Sequence, residues 1–260
     1  MNQSERARQF TDLHRKNDPI ILFNAWDAGS AKAIADGGAR AIATGSWSVA
    51  AAYGFKDGEA LPLNLAIANL ERIVKAVELP VTLDFEGGYA AEPDDLKKNV
   101  DQVIAAGAVG VNFEDQVVGG EGIYDIDTQC GRIGAVRAAA EGLGVPLFIN
   151  ARTDLFLKAK PTEHDDALLE EAIVRARAYA DAGGSGLFAP GLRDESKISR
   201  LCSECPLPVN ILMYPDAPTA SALAGCGVAR ISHGPFPYIQ AMESLTAAAR
   251  QALDWRADAG

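Results

Sequence analysis

The chain has 260 residues, of which 48% are hydrophobic, and a formal net charge of −11. So much apolar side chain supports a large core and excludes general disorder, and the acidic balance argues against nucleic acid or an anionic membrane as partner, since both need clustered Lys and Arg. No run approaches the roughly 18 continuous apolar residues of a membrane span.

The opening MNQSERARQFTDLHRK is a polar amphipathic helix pattern with no apolar signal core, so a cytoplasmic protein is expected. Eight short apolar runs follow: ILFNAW (21–26), AIATGS (41–46), VTLDFE (81–86), GVNFED (110–115), PLFINARTD (146–154), GLFAPG (186–191), PVNILM (208–213) and VARISHG (228–234). Their near-continuous hydrophobicity is that of parallel strands buried on both faces. Helical patterns lie between them, at Leu63 to Glu78, at Asp94 to Ala106 behind the acidic start Pro93-Asp94-Asp95, at Asp166 to Asp181 and at Pro237 to Ala257. Four joints, DGGARAIATG, AAGAVGVNFE, DAGGSGLFAP and AGCGVARISH, place Gly at a helix end just before a strand, where a left-handed residue closes a helix. Alternating strands and helices mean a parallel sheet. Eight units predict a single (β/α)8 TIM-type barrel over residues 1–260, since such barrels run to about 250 residues. A doubly wound sheet is the alternative, but no GxGxxG follows the first strand.

Cys130, Cys202, Cys205 and Cys226 are too few for a disulfide framework. Cys202-Ser-Glu-Cys205 has no second CxxC nearby and reads as an ordinary surface pair rather than a zinc or redox site.

In such barrels the active site lies at the C-terminal ends of the strands. This chain places Gly45-Ser46-Trp47-Ser48, then Asp84 and Glu86, then Asn112, Glu114 and Asp115, then Asn150, Arg152 and Asp154, then Asn210, then Ser232-His233-Gly234 there. Residues two apart on a strand share a face, so Asp84 with Glu86, Asn112 with Glu114, and Asn150 with Arg152 are expected to point into the mouth. Converging carboxylates repel unless a cation joins them, and oxygen ligands without His or Cys suit Mg2+ or Mn2+. Helix capping or salt bridging is the plainer account of the same residues. Arg152 reads as the one Arg or Lys at a strand end, able to fork onto a substrate carboxylate or phosphonate or to pair with Asp84 or Glu114. His233 reads as a base or, preferably, a polar cap on the barrel. Asn150 and Asn210 are expected to orient groups. Strands five to seven carry no Lys, which disfavours a Schiff-base aldolase, and Ser46 is not in a GxSxG elbow.

Gly45-Ser46-Trp47, Tyr53-Gly54-Phe55-Lys56-Asp57, Asp84-Phe85-Glu86-Gly87-Gly88-Tyr89, Asn112-Phe113-Glu114-Asp115 and Asn150-Ala151-Arg152-Thr153-Asp154 occur in this order from Phe23 to Gly234. As a set they resemble the isocitrate lyase and phosphoenolpyruvate mutase superfamily. The resemblance implies a barrel whose eighth helix is exchanged between subunits, giving homodimers and then homotetramers. It implies Mg2+ held near Asp84, Glu86 and Glu114, partly through water, with Asp57 close by. It implies a small carboxylate substrate, a 2-oxo acid held by the backbone at Ser46 and Trp47 and by Arg152. Asn210 and His233, from their place at the strand ends, are further substrate-binding candidates. Two departures stand out. The K-K-C-G-H loop of isocitrate-type lyases and the E-D-K-x-F-P-K-x-N loop of mutases are both absent from Gln116 to Asp125, so neither isocitrate cleavage nor phosphonopyruvate mutation is expected. The Gly-rich segment still suits a lid hinge, and Cys130 beyond it is not the expected acid. The chemistry then expected is metal-assisted cleavage next to a 2-oxo or 2-hydroxy (di)carboxylate through an enolate, with Arg152, Asp57 and Glu114 as catalytic candidates and oxaloacetate-type decarboxylation as the leading example. An oxaloacetate or phosphonopyruvate hydrolase, and a barrel that binds a 2-oxo acid without turnover, are the alternatives. Glu121, Tyr124 and His233 are weak candidates for a base. Trp47, Tyr53, Phe156 and Phe188 either shape the pocket or belong to the core.

Overall fold

A computed structural model describes residues 1–254. The polar N-terminal run forms α1 (Gln3–Asp12), started by a capping box in which the Asn2 side chain accepts from Glu5 N and Glu5 returns to Asn2 N at 2.8 Å. Phe10 from α1 is fully buried beneath the starts of two strands and meets Phe148 at 5.4 Å between ring centroids. Then come β1 (Ile20–Leu22), α2 (Ala28–Asp36), β2 (Ile42–Ala43), a short α3 (Ser46–Ala52), α4 (Leu63–Ala76), β3 (Val81–Asp84), α5 (Pro93–Ala105), β4 (Gly110–Glu114), α6 (Ile126–Gly142) and β5 (Phe148–Arg152). The second half adds α7 (Leu155–Lys158), α8 (Asp166–Asp181), β6 (Gly186–Phe188), α9 (Glu195–Glu204), β7 (Val209–Leu212), α10 (Ala220–Gly225), β8 (Arg230–Ser232) and α11 (Phe236–Leu253).

All eight strands are parallel, in the order β1-β8-β7-β6-β5-β4-β3-β2. The two ends meet through Ala25 and Thr44, where Ala25 N donates to Ala43 O at 2.8 Å and Gly45 N to Ala25 O at 3.3 Å. This is the expected (β/α)8 architecture. Each apolar run holds its strand, but the ladders are shorter than the runs. In the first run only residues up to Leu22 pair as a ladder, and Asn24 instead ties β1, β2 and β8 together through its side chain. The four glycine joints carry Gly38, Gly107, Gly183 and Gly227 at φ values of 93°, 99°, 101° and 89°, the left-handed backbone that the pattern required.

Two expectations change. Cys202 and Cys205 are not on the surface but 2% and 3% exposed, Cys202 lying on the face of α9 that also buries Ile198 and Leu201. Burial pushes their thiols up to about 12 and about 11, so both stay protonated and unreactive. The C-terminal helix starts at Phe236, and its expected last residues, beyond 254, lie outside the described part. Only Pro237 of α11 is buried, while Leu245 is 61% exposed. A groove of about 780 Å³ runs between β1, α2 and the first turns of α11, lined by Phe23, Ile34 and Pro237 among others. It is larger than the space around the carboxylates, but neither Arg152 nor any of the rim carboxylates lines it. No helix among the described residues is long and apolar enough to cross a membrane.

Candidate active site

The polar side chains at the C-terminal ends of β3, β4 and β5 form two levels set by register. Asp84, Asn112 and Asn150 are directly opposite one another, and Glu114 lies opposite Arg152. Asn150 Nδ2 donates to Asn112 Oδ1 at 2.9 Å, and Asn112 Nδ2 to Asp84 Oδ1 at 3.3 Å. One level up, Arg152 Nη1 pairs with Glu114 Oε2 at 2.8 Å. The period-two reading therefore holds on β4 and β5.

It does not extend through VTLDFE. The ladder stops at Asp84, and Glu86 has a left-handed backbone at φ 50°. Glu86 is oriented by that turn rather than by strand alternation. Its Oε2 accepts from Glu59 N at 2.7 Å and its Oε1 from Tyr89 Oη at 3.3 Å. Glu59 completes the clasp by accepting from Tyr89 N at 2.8 Å. Arg132 of α6 braces the same turn from behind, donating to the carbonyls of Gly87, Ala90 and Ala91. Gly88 makes this turn possible. Its φ is +85°, and an added Cβ would press into Leu96 and come within 3.0 Å of the Phe113 ring. Gly88→Ala is expected to cost about 2–4 kcal/mol through backbone strain and overpacking. A urea melt within 1 kcal/mol of wild type would contradict this.

Asp84 remains the centre. Its amide is anchored by Thr44 Oγ1 at 2.9 Å, and its Oδ2 accepts from Ser46 N, the first residue of α3, at 2.9 Å. Arg152 is held by a fork onto Asp154, Nε to Oδ1 at 2.6 Å and Nη2 to Oδ2 at 3.0 Å. With Nη1 on Glu114, each terminal nitrogen keeps one free N–H. Asp115 points the other way, as its odd position on β4 demands. It is fully buried against the helix layer, accepting from Tyr179 Oη at 2.8 Å and Asp154 N at 2.9 Å. Asp115 is thus a structural residue rather than a rim carboxylate.

The charges strain against one another. Burial pushes Glu86 up to about 7, and the negative charges of Asp84 and Asp57 add to it. Asp57 is raised by burial of its carboxyl and then by Asp84. Burial raises Glu59 as well, and it raises Glu114 well above the ordinary range, with Arg152 pulling in the opposite direction. Burial also works against the charge on Arg152, but Glu114, Asp154 and Asp84 outweigh it and raise its pKa. Asp57, Asp84, Glu86 and Glu114 are the residues that could hold a cation. Among the described residues no three His, Cys, Asp or Glu side chains converge closely enough to bind one ion directly.

The remaining candidates are dispersed. Ser46 offers its amide to Asp84, and Trp47 is 41% exposed with its ring against Tyr238 at 6.1 Å. Asn210 is 1% exposed inside the barrel, bound to Ser232 at 3.1 Å, below the rim rather than on it. The ring of His233 leans on Phe23 at 5.1 Å, and burial alone lowers its pKa, so it fits the cap reading. Tyr124 lies under the Arg132 guanidinium at 4.4 Å, and Phe188 lies 6.0 Å below that of Arg152. Gln116 to Ile123 form a tight hairpin over Gly87. The sequence reading missed Glu59, Arg132 and Arg230. Glu59 could have been suspected from the turn sequence Asp57-Gly58-Glu59. Arg230 was in view as a charge inside an apolar run.

A parallel eight-stranded barrel with acidic and arginine side chains gathered at its C-terminal rim defines the class of (β/α)8 proteins whose strand ends carry the chemistry. Within that class, the chain belongs to the phosphoenolpyruvate phosphomutase family, whose model matches residues 10–253. A solved structure of a Burkholderia cenocepacia J2315 protein, provisionally assigned as a phosphonomutase, superposes with a TM-score of 0.94 at 50% identity, covering 96% of this chain and 100% of that one. An uncharacterised protein of Mycobacterium tuberculosis (strain ATCC 25618 / H37Rv) is 34% identical over 245 residues, 94% of this chain and 89% of its own length. An oxaloacetate decarboxylase of Bradyrhizobium sp. (strain BTAi1 / ATCC BAA-1182) is 30% identical over 169 residues, 64% of this chain and 56% of its own length.

Proposed function

We propose that the protein is a Mg2+-dependent lyase of small 2-oxo or 2-hydroxy (di)carboxylates, with decarboxylation of an oxaloacetate-like acid as the leading reaction. The observation that carries this reading is Arg152, locked by Glu114 and Asp154 at 2.8 and 2.6 Å yet keeping an N–H on each terminal nitrogen, beside Glu86, which burial and the charges of Asp84 and Asp57 push up to about 7. Uncompensated carboxylates of this kind fit a hard divalent cation. Mg2+ keeps several waters and needs few direct protein ligands, so the lack of three converging carboxylates is compatible with Asp84 as the inner contact and Glu86, Glu114 and Asp57 acting through water. Mn2+ has the same ligand preference. When bound, the ion would stabilise negative charge developing on the 2-oxo oxygen. The chain's own groups do the rest. Arg152 takes the substrate carboxylate with its two free N–H groups. Trp47 and Ser48 add backbone N–H groups that α3 leaves unused, since Ser46 N is given to Asp84. Loss of CO2 needs no base to start, which suits a hairpin from Gln116 to Ile123 that contains no Lys, Cys or His. One relative carries the name oxaloacetate decarboxylase.

Hydrolysis is the second reading, favoured by Glu86, which burial holds near 7 and thus poised to take a proton from water. The test is a panel of 2-oxo acids and 2-hydroxy dicarboxylates assayed with Mg2+ and with EDTA for pyruvate release, corrected for metal-catalysed loss of CO2 without protein. Metal-dependent pyruvate from one or two substrates is expected. Acetate with oxalate in place of pyruvate, or pyruvate accompanied by an equal amount of phosphate, would move the assignment to a hydrolase. Thermal shifts without any turnover would make the barrel a binding protein.

The same proposal includes assembly. The exposed length of α11 and the groove beside it, lined by Phe23, Ile34 and Pro237, suit exchange of α11 with a second copy of this chain. Light scattering should give a dimer or tetramer; a monomer at micromolar concentration would refute the exchange.

A further inference from the structure

Beneath the carboxylates lies a second arginine that the proposed chemistry does not use. Arg230 enters the barrel from the first residue of β8, is 1% exposed, and has no carboxylate at ion-pair distance among the described residues. A buried guanidinium without a counter-charge is costly, and one placed for the fold alone would be fully bonded. Instead its Nη1 has no partner. What it does hold is specific. Nη2 donates to Asn112 Oδ1 at 3.0 Å, and Nε donates to Ser232 Oγ at 3.4 Å. Ser232 in turn donates to Asn210 Oδ1 at 3.1 Å.

Asn112 Oδ1 therefore receives two donors, Arg230 at 3.0 Å and Asn150 Nδ2 at 2.9 Å. That leaves the Asn112 amide one orientation. Reversal would set its NH2 against two other donors and its oxygen against the Asp84 carboxylate. Held this way, Asn112 donates to Asp84 Oδ1 at 3.3 Å while Ser46 N donates to Oδ2 at 2.9 Å. Each Asp84 oxygen then carries one hydrogen bond and keeps its other lone pair.

We infer that Arg230 is a positioning residue: by gripping the Asn112 oxygen it turns the Asn112 NH2 onto Asp84 and fixes the Asp84 carboxylate for an incoming divalent cation. The inference rests on the proposed cation site. Outer-shell partners of this kind typically change metal affinity by about 10–100-fold when replaced. The charge of Arg230 acts in the opposite sense, because a cation beneath the site repels another cation. The two effects separate experimentally.

Mn2+ titrations followed by EPR on wild type, Arg230→Met and Arg230→Lys distinguish them. Positioning predicts about tenfold weaker Mn2+ binding by Arg230→Lys, which keeps the charge but not the guanidinium's grip on Asn112, and a smaller loss by Arg230→Met, where relief of the repulsion offsets part of it. Tighter binding by Arg230→Met with an unchanged Arg230→Lys would mean that only charge matters, and unchanged affinities in both would mean a structural residue. Either result overturns the inference. Melting curves show which variants fold; if Arg230→Met does not, Arg230→Lys decides alone, since it retains the charge. If wild type binds no Mn2+, the cation reading fails by itself. Crystal structures of wild type and Arg230→Lys then judge the positioning of Asp84 by Arg230 separately from the cation: a displaced Asp84 carboxylate upholds that positioning, and an unmoved one refutes it.

Discussion

Replacing Arg152 by Met is expected to destabilise the fold by about 3–5 kcal/mol and to reduce turnover by roughly 10²–10³-fold or more. The stability loss follows from its neighbours. Glu114 and Asp154 have side chains 5% and 1% exposed, and Arg152 bridges them at 2.8 and 2.6 Å. Without it, two like charges are left buried with no cation between them. The penalty should shrink as pH falls from 8 to 5, because protonating a carboxylate relieves it and burial already raises Glu114. Arg152→Lys should recover part of the stability but little turnover, since an ammonium cannot fork onto Asp154 and still present two donors to a substrate. Urea melts at two pH values, paired with the pyruvate assay, check both halves. A loss below about 1 kcal/mol, or turnover within tenfold of wild type, would remove Arg152 from the centre of the site.

The second large effect lies at the other end of the barrel. The His14 ring stacks on Phe148 at 4.0 Å and stands edge-on to Phe10 at 4.7 Å. Its Nδ1 is 2.8 Å from Phe10 O, while Nε2 has no partner. Burial lowers its pKa from 6.5 to about 3, and the positive charge of Arg230 contributes. Above pH 6.5 both folded and unfolded chains carry a neutral His14, so its full contribution is present. Below that the unfolded chain takes up a proton that the folded chain refuses, and stability falls by about 1.4 kcal/mol per pH unit until the folded pKa is reached. Between pH 7 and pH 4 this amounts to about 3 kcal/mol. Titrating carboxylates also change acid stability, so the measurement is a difference. The stability gap between wild type and His14→Phe should shift by about 3 kcal/mol in favour of the variant over that range. Parallel pH profiles for the two proteins would show that His14 is not buried as a neutral ring.

Much of the site was legible because strand periodicity is a local rule. Asn112 with Glu114, and Asn150 with Arg152, follow from residue spacing on strands buried on both faces, and register then sets them against each other. The rule failed where the strand ended. Glu86 was paired with Asp84 by alternation, but Gly87 and Gly88 allow a left-handed turn in which Glu86 answers to Glu59 and Tyr89 instead. Asp115 was grouped with the rim although, as a neighbour of Glu114, it faces the helices and Tyr179. Arg230 was overlooked because a charge inside an apolar run has no local explanation; its partner Asn112 lies on β4, far away in the chain, and only Ser232 is on its own strand.

The sequence by itself determined the eight-fold strand and helix rhythm, the glycine closures and the presence of acidic residues and one arginine at the strand ends. These depend on backbone conformation and on which side chains can be buried, and both act over a few residues. Only the tertiary structure decided which carboxylates face one another, which arginine meets Glu114 and which meets Asn112, and that Cys202 and Cys205 are buried. Those outcomes depend on closing the sheet from β2 back to β1, which brings residues far apart in the chain within hydrogen-bond range, where burial and neighbouring charges set their chemistry.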